Sequence, residues 1–305
     1  MKYGTWTSLK WTNMEQQNQS IDKSKHMLTV FAPIGIILFV QYILSMVIMQ
    51  LVMVYDLANY NSENFEEFMI KYMSDCSHSS VNTALSIAYA ITCISLFGWW
   101  YITHEVDAEK IKHPLNNIAS NIPLMAAGIV LTAIALQYVC IYLMNALGMM
   151  FPSWVEEYEQ LFESAGIGDN LTIGFIIYGV ILGPVCEELA FRGITFKAAR
   201  RAMPTVWAII TQALLFSALH MNKLQCSYTF IVGLILGYVM YRYDSLIITT
   251  IMHIIFNFIG SIGADYLYVG GATPATFFIW FLTSMIVTYL GITLLDKAAP
   301  AKTED

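Results

Sequence analysis

Three stretches of this 305-residue chain, 31–55, 81–102 and 122–151, stay almost wholly apolar. At about 1.5 Å per helical residue each is long enough to cross a hydrocarbon layer of roughly 30 Å. A buried helix of a water-soluble domain has no need of such length. The charge content agrees: 12% of residues are charged and 57% hydrophobic, against about 25% charged in an ordinary soluble domain. Fold classes that depend on a solvated exterior are therefore excluded, and an all-α, polytopic integral membrane protein is expected. The same composition gives no reason to expect a nucleic-acid partner.

Apolar runs and their polar interruptions place about eight transmembrane helices, near 28–54, 81–103, 122–150, 171–196, 205–221, 226–243, 245–263 and 275–295. The first run is too long for a signal-peptide core and lacks a small-residue cleavage site, so it is expected to stay as a span. With the N-terminus inside, the inner segments hold Lys2, Lys10, Lys23, Lys25, Lys110, Lys112, Lys197, Arg200, Arg201, Arg242, Lys297 and Lys302. The outer segments hold only Lys71 and Lys223, and Arg192 falls within a span. This bias predicts an N-in/C-in topology with both termini cytoplasmic.

The predicted organisation is a cytoplasmic segment 1–27, one transmembrane domain 28–295 and a cytoplasmic tail 296–305, in a protein of the cell membrane. Acids gather in the outer loops, Asp56, Glu63, Glu66, Glu67 and Asp75 in the first and Glu156, Glu157, Glu159, Glu163 and Asp169 in the second. Both sets read as solvated faces. Five scattered cysteines without a C-x-x-C pair suggest neither a disulfide framework nor a zinc ribbon. Gly233 and Gly237 form a small-xxx-small pair that would let a neighbouring helix approach closely.

The fourth span breaks the apolar pattern with Glu187, Glu188 and Arg192 behind sixteen mostly apolar residues. An ionisable group at that depth costs roughly 2.5 to 3.5 kcal/mol on insertion scales, so it is rarely idle. Glu188 and Arg192 are four apart and share a helix face, where an ion pair neutralises one carboxylate. Glu187 is turned by about 100° and left free to act as a general base. Pro184, with Gly183 and Gly193, predicts a kink and a wet cavity at this point.

Two more polar pairs follow: Phe216 and His220 close the fifth span, and His253 and Asn257 share a face of the seventh. Together these groups suit hydrolysis without a serine or cysteine nucleophile. Glu187 and His220 would hold and deprotonate a water, while His253 and Asn257 would donate to the oxyanion of a tetrahedral intermediate. The same atoms admit a zinc site of Glu187, His220 and His253 with an open position for water. The sequence leaves open whether the cofactor is none or one zinc ion. His104-Glu105 is not a zincin helix, because position 108 is Ala.

Glu187-Glu188-x-x-x-Arg192, Phe216-x-x-x-His220 and His253-x-x-x-Asn257, in this order on successive spans, resemble the CAAX-processing and bacteriocin-processing (CPBP, Abi) family of intramembrane proteases. The likeness covers 171–263, about a third of the chain. It implies an eight-helix endopeptidase whose site opens to the cytoplasmic side, acting on a peptide or membrane-tethered protein. It also implies that Glu187 and His220 activate water, that His253 and Asn257 stabilise the oxyanion, and that Glu188, Arg192 and Phe216 support them. A non-catalytic membrane immunity or scaffolding protein that keeps the pocket is the alternative. Proton-coupled transport ranks lower, since no inverted repeat of broken helices is visible.

One feature of the spacing strains this grouping. Counted along ideal helices, Glu187 and His253 lie about 15 and 12 Å from the cytoplasmic ends of their spans, and His220 about 23 Å. The grouping requires the fifth span to tilt, or 198–204 to dip into the membrane.

Overall fold

The computed structural model describes residues 5–59, 64–106, 118–164, 173–262 and 273–300, and no strand occurs among them. Lys2, Lys110, Lys112, Lys302, Glu63 and Asp169, and the side chain of Lys10, lie outside the described residues. The helices in chain order are α1 (Thr5–Asn59), α2 (Phe65–Cys76), α3 (Ser79–Trp100), α4 (Ile122–Met150), α5 (Pro152–Ser164), an interrupted helix α6 (173–202), α7 (Thr205–Leu219), α8 (Lys223–Tyr243), α9 (Leu246–Ile262) and α10 (Pro274–Ala298).

Five segments are long and apolar enough to cross a membrane: Lys23–Asn59, Ser79–Glu105, Ile122–Met150, Lys223–Tyr243 and Pro274–Ala298. Exposed Phe39, Tyr42, Leu51, Trp99, Phe278 and Tyr289 lie on these segments, a display of apolar surface that suits lipid and not water. The other three expected spans correspond to the interrupted α6 and the shorter apolar helices α7 and α9. Two outer segments read as loops are instead amphipathic helices, α2 and α5.

The bundle has two chemically distinct ends. At one, Lys197 donates to the Glu105 carbonyl at 2.8 Å and lies 3.7 Å from Asp244, Arg201 pairs with Glu105, and Arg242 meets Asp296 at 2.6 Å. At the other, Lys223 pairs with Glu157 at 2.9 Å, and Lys71 hydrogen-bonds Asp75. That bond holds the Asp75 carboxyl below, and the Lys71 amine above, the usual range. Asp56 departs from the expected solvated face, being only 2% exposed.

Close helix contacts rest on small residues. A Cβ on Gly291 of α10 would lie 2.9 Å from the Thr132 nitrogen of α4, and one on Gly128 2.9 Å from Leu295 Cγ. On α8, a Cβ on Gly233 would sit 3.0 Å from Ala213 Cα, and Gly237 is filled by Gln212, whose amide donates to the Gly233 carbonyl at 2.7 Å. The Gly233/Gly237 pair thus draws α7 onto α8, and α7 carries Phe216 and His220.

Candidate active site

Helix α6 is irregular around Glu187, Glu188 and Arg192. Wide turns at Ile176–Leu182 and Glu188–Thr195 flank a short α segment, Gly183–Glu187. Such π turns pair each carbonyl with the N–H five residues on. For Gly179 that partner is Pro184, which has no N–H. The freed carbonyl accepts a 2.9 Å hydrogen bond from Asn257 Nδ2 of α9. One backbone break in α6 therefore fixes where α9 docks.

The acids diverge in environment as their spacing predicts. Glu188 and Arg192 are fully buried, with Arg192 Nη1 2.9 Å from Glu188 Oε1. The guanidinium Cζ also lies 4.4 Å from the centroid of the Phe216 ring, so its charge meets a carboxylate on one side and a π face on the other. Glu187 is 19% exposed, and its Oε2 stands 3.7 Å from His253 Nε2.

The two histidines are held differently. His253 Nδ1 lies 2.9 Å from Glu188 Oε1, and because a carboxylate only accepts, the ring donates there. His220 Nδ1 lies 3.0 Å from the Phe216 carbonyl, a neutral acceptor, which leaves its Nε2 as a lone pair. Each imidazole is thereby oriented with its second nitrogen unspent.

Phe216 joins the set. Its ring packs edge-on against Phe191, His220 and His253 at 5.5, 5.1 and 5.7 Å between centroids. Glu187 and His253 are both near enough to bear electrostatically on His220. Of the seven residues singled out in the sequence, Glu187, Glu188, Arg192, Phe216, His220 and His253 are joined by these contacts in one cluster, and Asn257 stands one turn beyond His253 on α9, holding the Gly179 carbonyl. Helix α7 starts at Thr205 and has 15 residues, about 22 Å, the depth already counted for His220, and in the segment before it Arg200, Arg201 and Pro204 are exposed. Ala198 and Ala199 are fully buried, and Met203 packs against their cluster.

Sequence reasoning missed three supports. Asn257 spends one amide N–H on Gly179; the cue was Pro184 five residues on, but only in a π register. Ser217 and Cys226 bond reciprocally, Ser217 Oγ to the Cys226 carbonyl at 2.8 Å and Cys226 Sγ to the Ser217 carbonyl at 3.0 Å, bracing the turn that bears His220. Tyr228 of α8 lies within electrostatic reach of both Glu187 and Tyr158 of α5. No pattern in the sequence marked these last two.

The zinc arrangement weighed above finds only part of its donor geometry. Both histidines present Nε2, as metal ligands do when Nδ1 is engaged. Among the described residues, however, no three His, Cys, Asp or Glu side chains converge as a metal-holding group. The residues do not fit a His₂Glu site in this arrangement, and no step below is routed through a metal.

Residues 169–259 match the family model described as Rce1-like, type II CAAX prenyl endopeptidase Rce1-like. The matched region takes in every residue of the cluster, and it agrees with the resemblance carried by the three motifs. No curated protein and no solved structure matches the chain.

Proposed function

We propose that this chain, with an Rce1-like region at 169–259, is an intramembrane endopeptidase that hydrolyses a peptide bond of a membrane-associated peptide or protein. Its membrane domain spans 28–295 in about eight crossings, with 1–27 and 296–305 cytoplasmic, in the cell membrane. The observation that carries the reading is the unlike tethering of two histidines around one partly exposed glutamate. His220 is tied to a neutral carbonyl and keeps a basic nitrogen; His253 is tied to a buried carboxylate.

In this reading a water sits against Glu187, with His220 Nε2 accepting its second hydrogen. Glu187 takes a proton as the oxygen attacks the scissile carbonyl. The oxyanion receives hydrogen bonds from His253, donating through Nε2 while Glu188 holds its Nδ1, and from the second amide N–H of Asn257. Glu187 then returns the proton to the leaving amine, and the C–N bond breaks. Arg192 balances Glu188, so the buried pair that orients His253 is itself neutral.

The experiment is a profile of new N-termini in membranes of cells expressing the native chain or Glu187→Gln. The expected result is a set of termini present with the native protein and absent with the variant at equal abundance. Identical profiles would contradict the reading and leave the immunity or scaffolding role standing.

A further inference from the structure

Two buried glutamines are held in the same way, each on a helix contact that bears on the cluster. On α7, Gln212 is fully buried in the notch at Gly237 of α8, and its Nε2 donates to the Gly233 carbonyl at 2.7 Å. On α4, Gln137 is buried in the notch at Gly260 of α9, where a Cβ would stand 2.6 Å from its Nε2, and that nitrogen donates to the Phe256 carbonyl at 2.6 Å. Each accepting carbonyl lies four residues before its glycine, 233 before 237 and 256 before 260.

That spacing has a physical reason. In an α-helix the carbonyl of residue i−4 receives the N–H of residue i, and the side chain of i leans back over it. A glycine at i bares the second lone pair of that carbonyl to a donor from the neighbouring helix. The bond is made at one height only, so it fixes the axial register of the two helices as well as their approach.

Both locks adjoin groups of the cluster. Gln212, Phe216 and His220 follow one another at intervals of four on α7, and a second bond, to the Ile209 carbonyl at 2.9 Å, ties the Gln212 amide to its own helix. A Cβ on Gly233, whose carbonyl receives Gln212, would stand 3.1 Å from Phe216 Cδ1. On α9 two successive residues are gripped from different helices, Phe256 by Gln137 of α4 and Asn257 by the Gly179 carbonyl of α6. Gln137 is turned by about 180° from Gly128 around α4, so α9 and α10 meet α4 on opposite sides.

We propose that Gln212 and Gln137 are positioning residues: Gln212 sets the height of His220 against Glu187, and Gln137 sets that of His253 and Asn257. This rests on the endopeptidase reading. Both amides are spent on backbone carbonyls, and they act through the helices that they hold.

The test replaces each with methionine, which fills the notch but cannot donate. In proteoliposomes, on a peptide from the N-terminal profile, Gln212→Met and Gln137→Met should each lower kcat by about 10- to 100-fold with KM unchanged, because substrate still binds while the reacting groups stand misplaced. Height is read separately from nitroxide labels on Trp207→Cys, at the start of α7, and Phe258→Cys, near the far end of α9, both exposed positions. The full chain for this measurement carries Cys76→Ser and Cys226→Ser, since the remaining cysteines are buried. Double electron–electron resonance should give one distance with both glutamines present and a shifted or broadened one in each Met variant. Should a Met variant not reach the membrane, Gly237→Ala or Gly260→Ala, whose methyl group evicts the amide, replaces it. An unmoved distance, an unmoved kcat or a rise in KM that accounts for the loss would overturn the proposal. The distances need no turnover, so a native chain that cleaves nothing would count against the endopeptidase reading while they still decide the role of the glutamines.

Discussion

The α4–α10 pair and the α6–α7–α9 cluster lie in one bundle but are stabilised by opposite means. The first is a contact of glycine against backbone, Gly291 on Thr132 and Gly128 on Leu295. On α10, Ser284 spends its hydroxyl on the Phe281 carbonyl at 2.7 Å and Thr288 on the Ser284 carbonyl at 2.8 Å, while Thr132 Oγ1 of α4 is buried with no partner among the described residues. The second places Glu188, Arg192 and His253 in full burial around a helix whose own hydrogen-bond ladder is broken. Close packing needs no further justification in lipid. Buried charge does, because it costs free energy that the same volume of Leu or Met would not. On the endopeptidase proposal the difference has a reason: α4 and α10 serve as scaffold, and the polar group carries the chemistry.

The comparison breaks most visibly at Arg192. Arg192→Ala strips the partner from a fully buried Glu188 and should cost about 3–5 kcal/mol, seen as a collapse of thermal stability in detergent. Glu188→Gln with Arg192→Met should recover much of that stability without recovering cleavage. A scaffold counterpart is Gly291→Leu, which forces α4 and α10 apart and should cost about 1–3 kcal/mol. Cleavage per folded molecule should stay unchanged there, and a fall in it would mean the two regions are not separable.

Asn257→Ala lies between the two. Losing the donor to the Gly179 carbonyl breaks a part-buried hydrogen bond worth about 0.5–1.5 kcal/mol, and cleavage should fall with it. Stability lost with cleavage kept would mark Asn257 as a tie only. The smallest effect is expected at the rim, where Lys223→Ala removes a half-exposed pair with Glu157 and should change stability by less than about 1 kcal/mol.

How far the sequence could be read follows the same division. The long spans at 31–55, 81–102 and 122–151 were legible because hydropathy accumulates residue by residue over a whole helix. The Glu188–Arg192 pairing was legible because it depends only on a spacing of four. What depends on register or on distant partners was not. The π turns in α6 shift every carbonyl's partner by one residue, so the Gly179–Asn257 bond has no local signature. That His220 and His253 meet across the Phe216 ring depends on how α7 and α9 pack, which no spacing within either helix records. The amphipathic helices α2 and α5 read as loops because their charged faces masked an apolar stripe too brief to cross a membrane. Asp56 read as solvated because burial at the end of a long helix comes from what packs beside it.

The central claim is that Glu187, and not its neighbour, activates the water. It is tested by the cleavage rate of purified native protein and Glu187→Gln in proteoliposomes, on a peptide taken from the N-terminal profile. Loss of a general base predicts a fall of about 100- to 10,000-fold with thermal stability preserved. A Glu187→Gln variant that cleaves at close to the native rate would contradict the account.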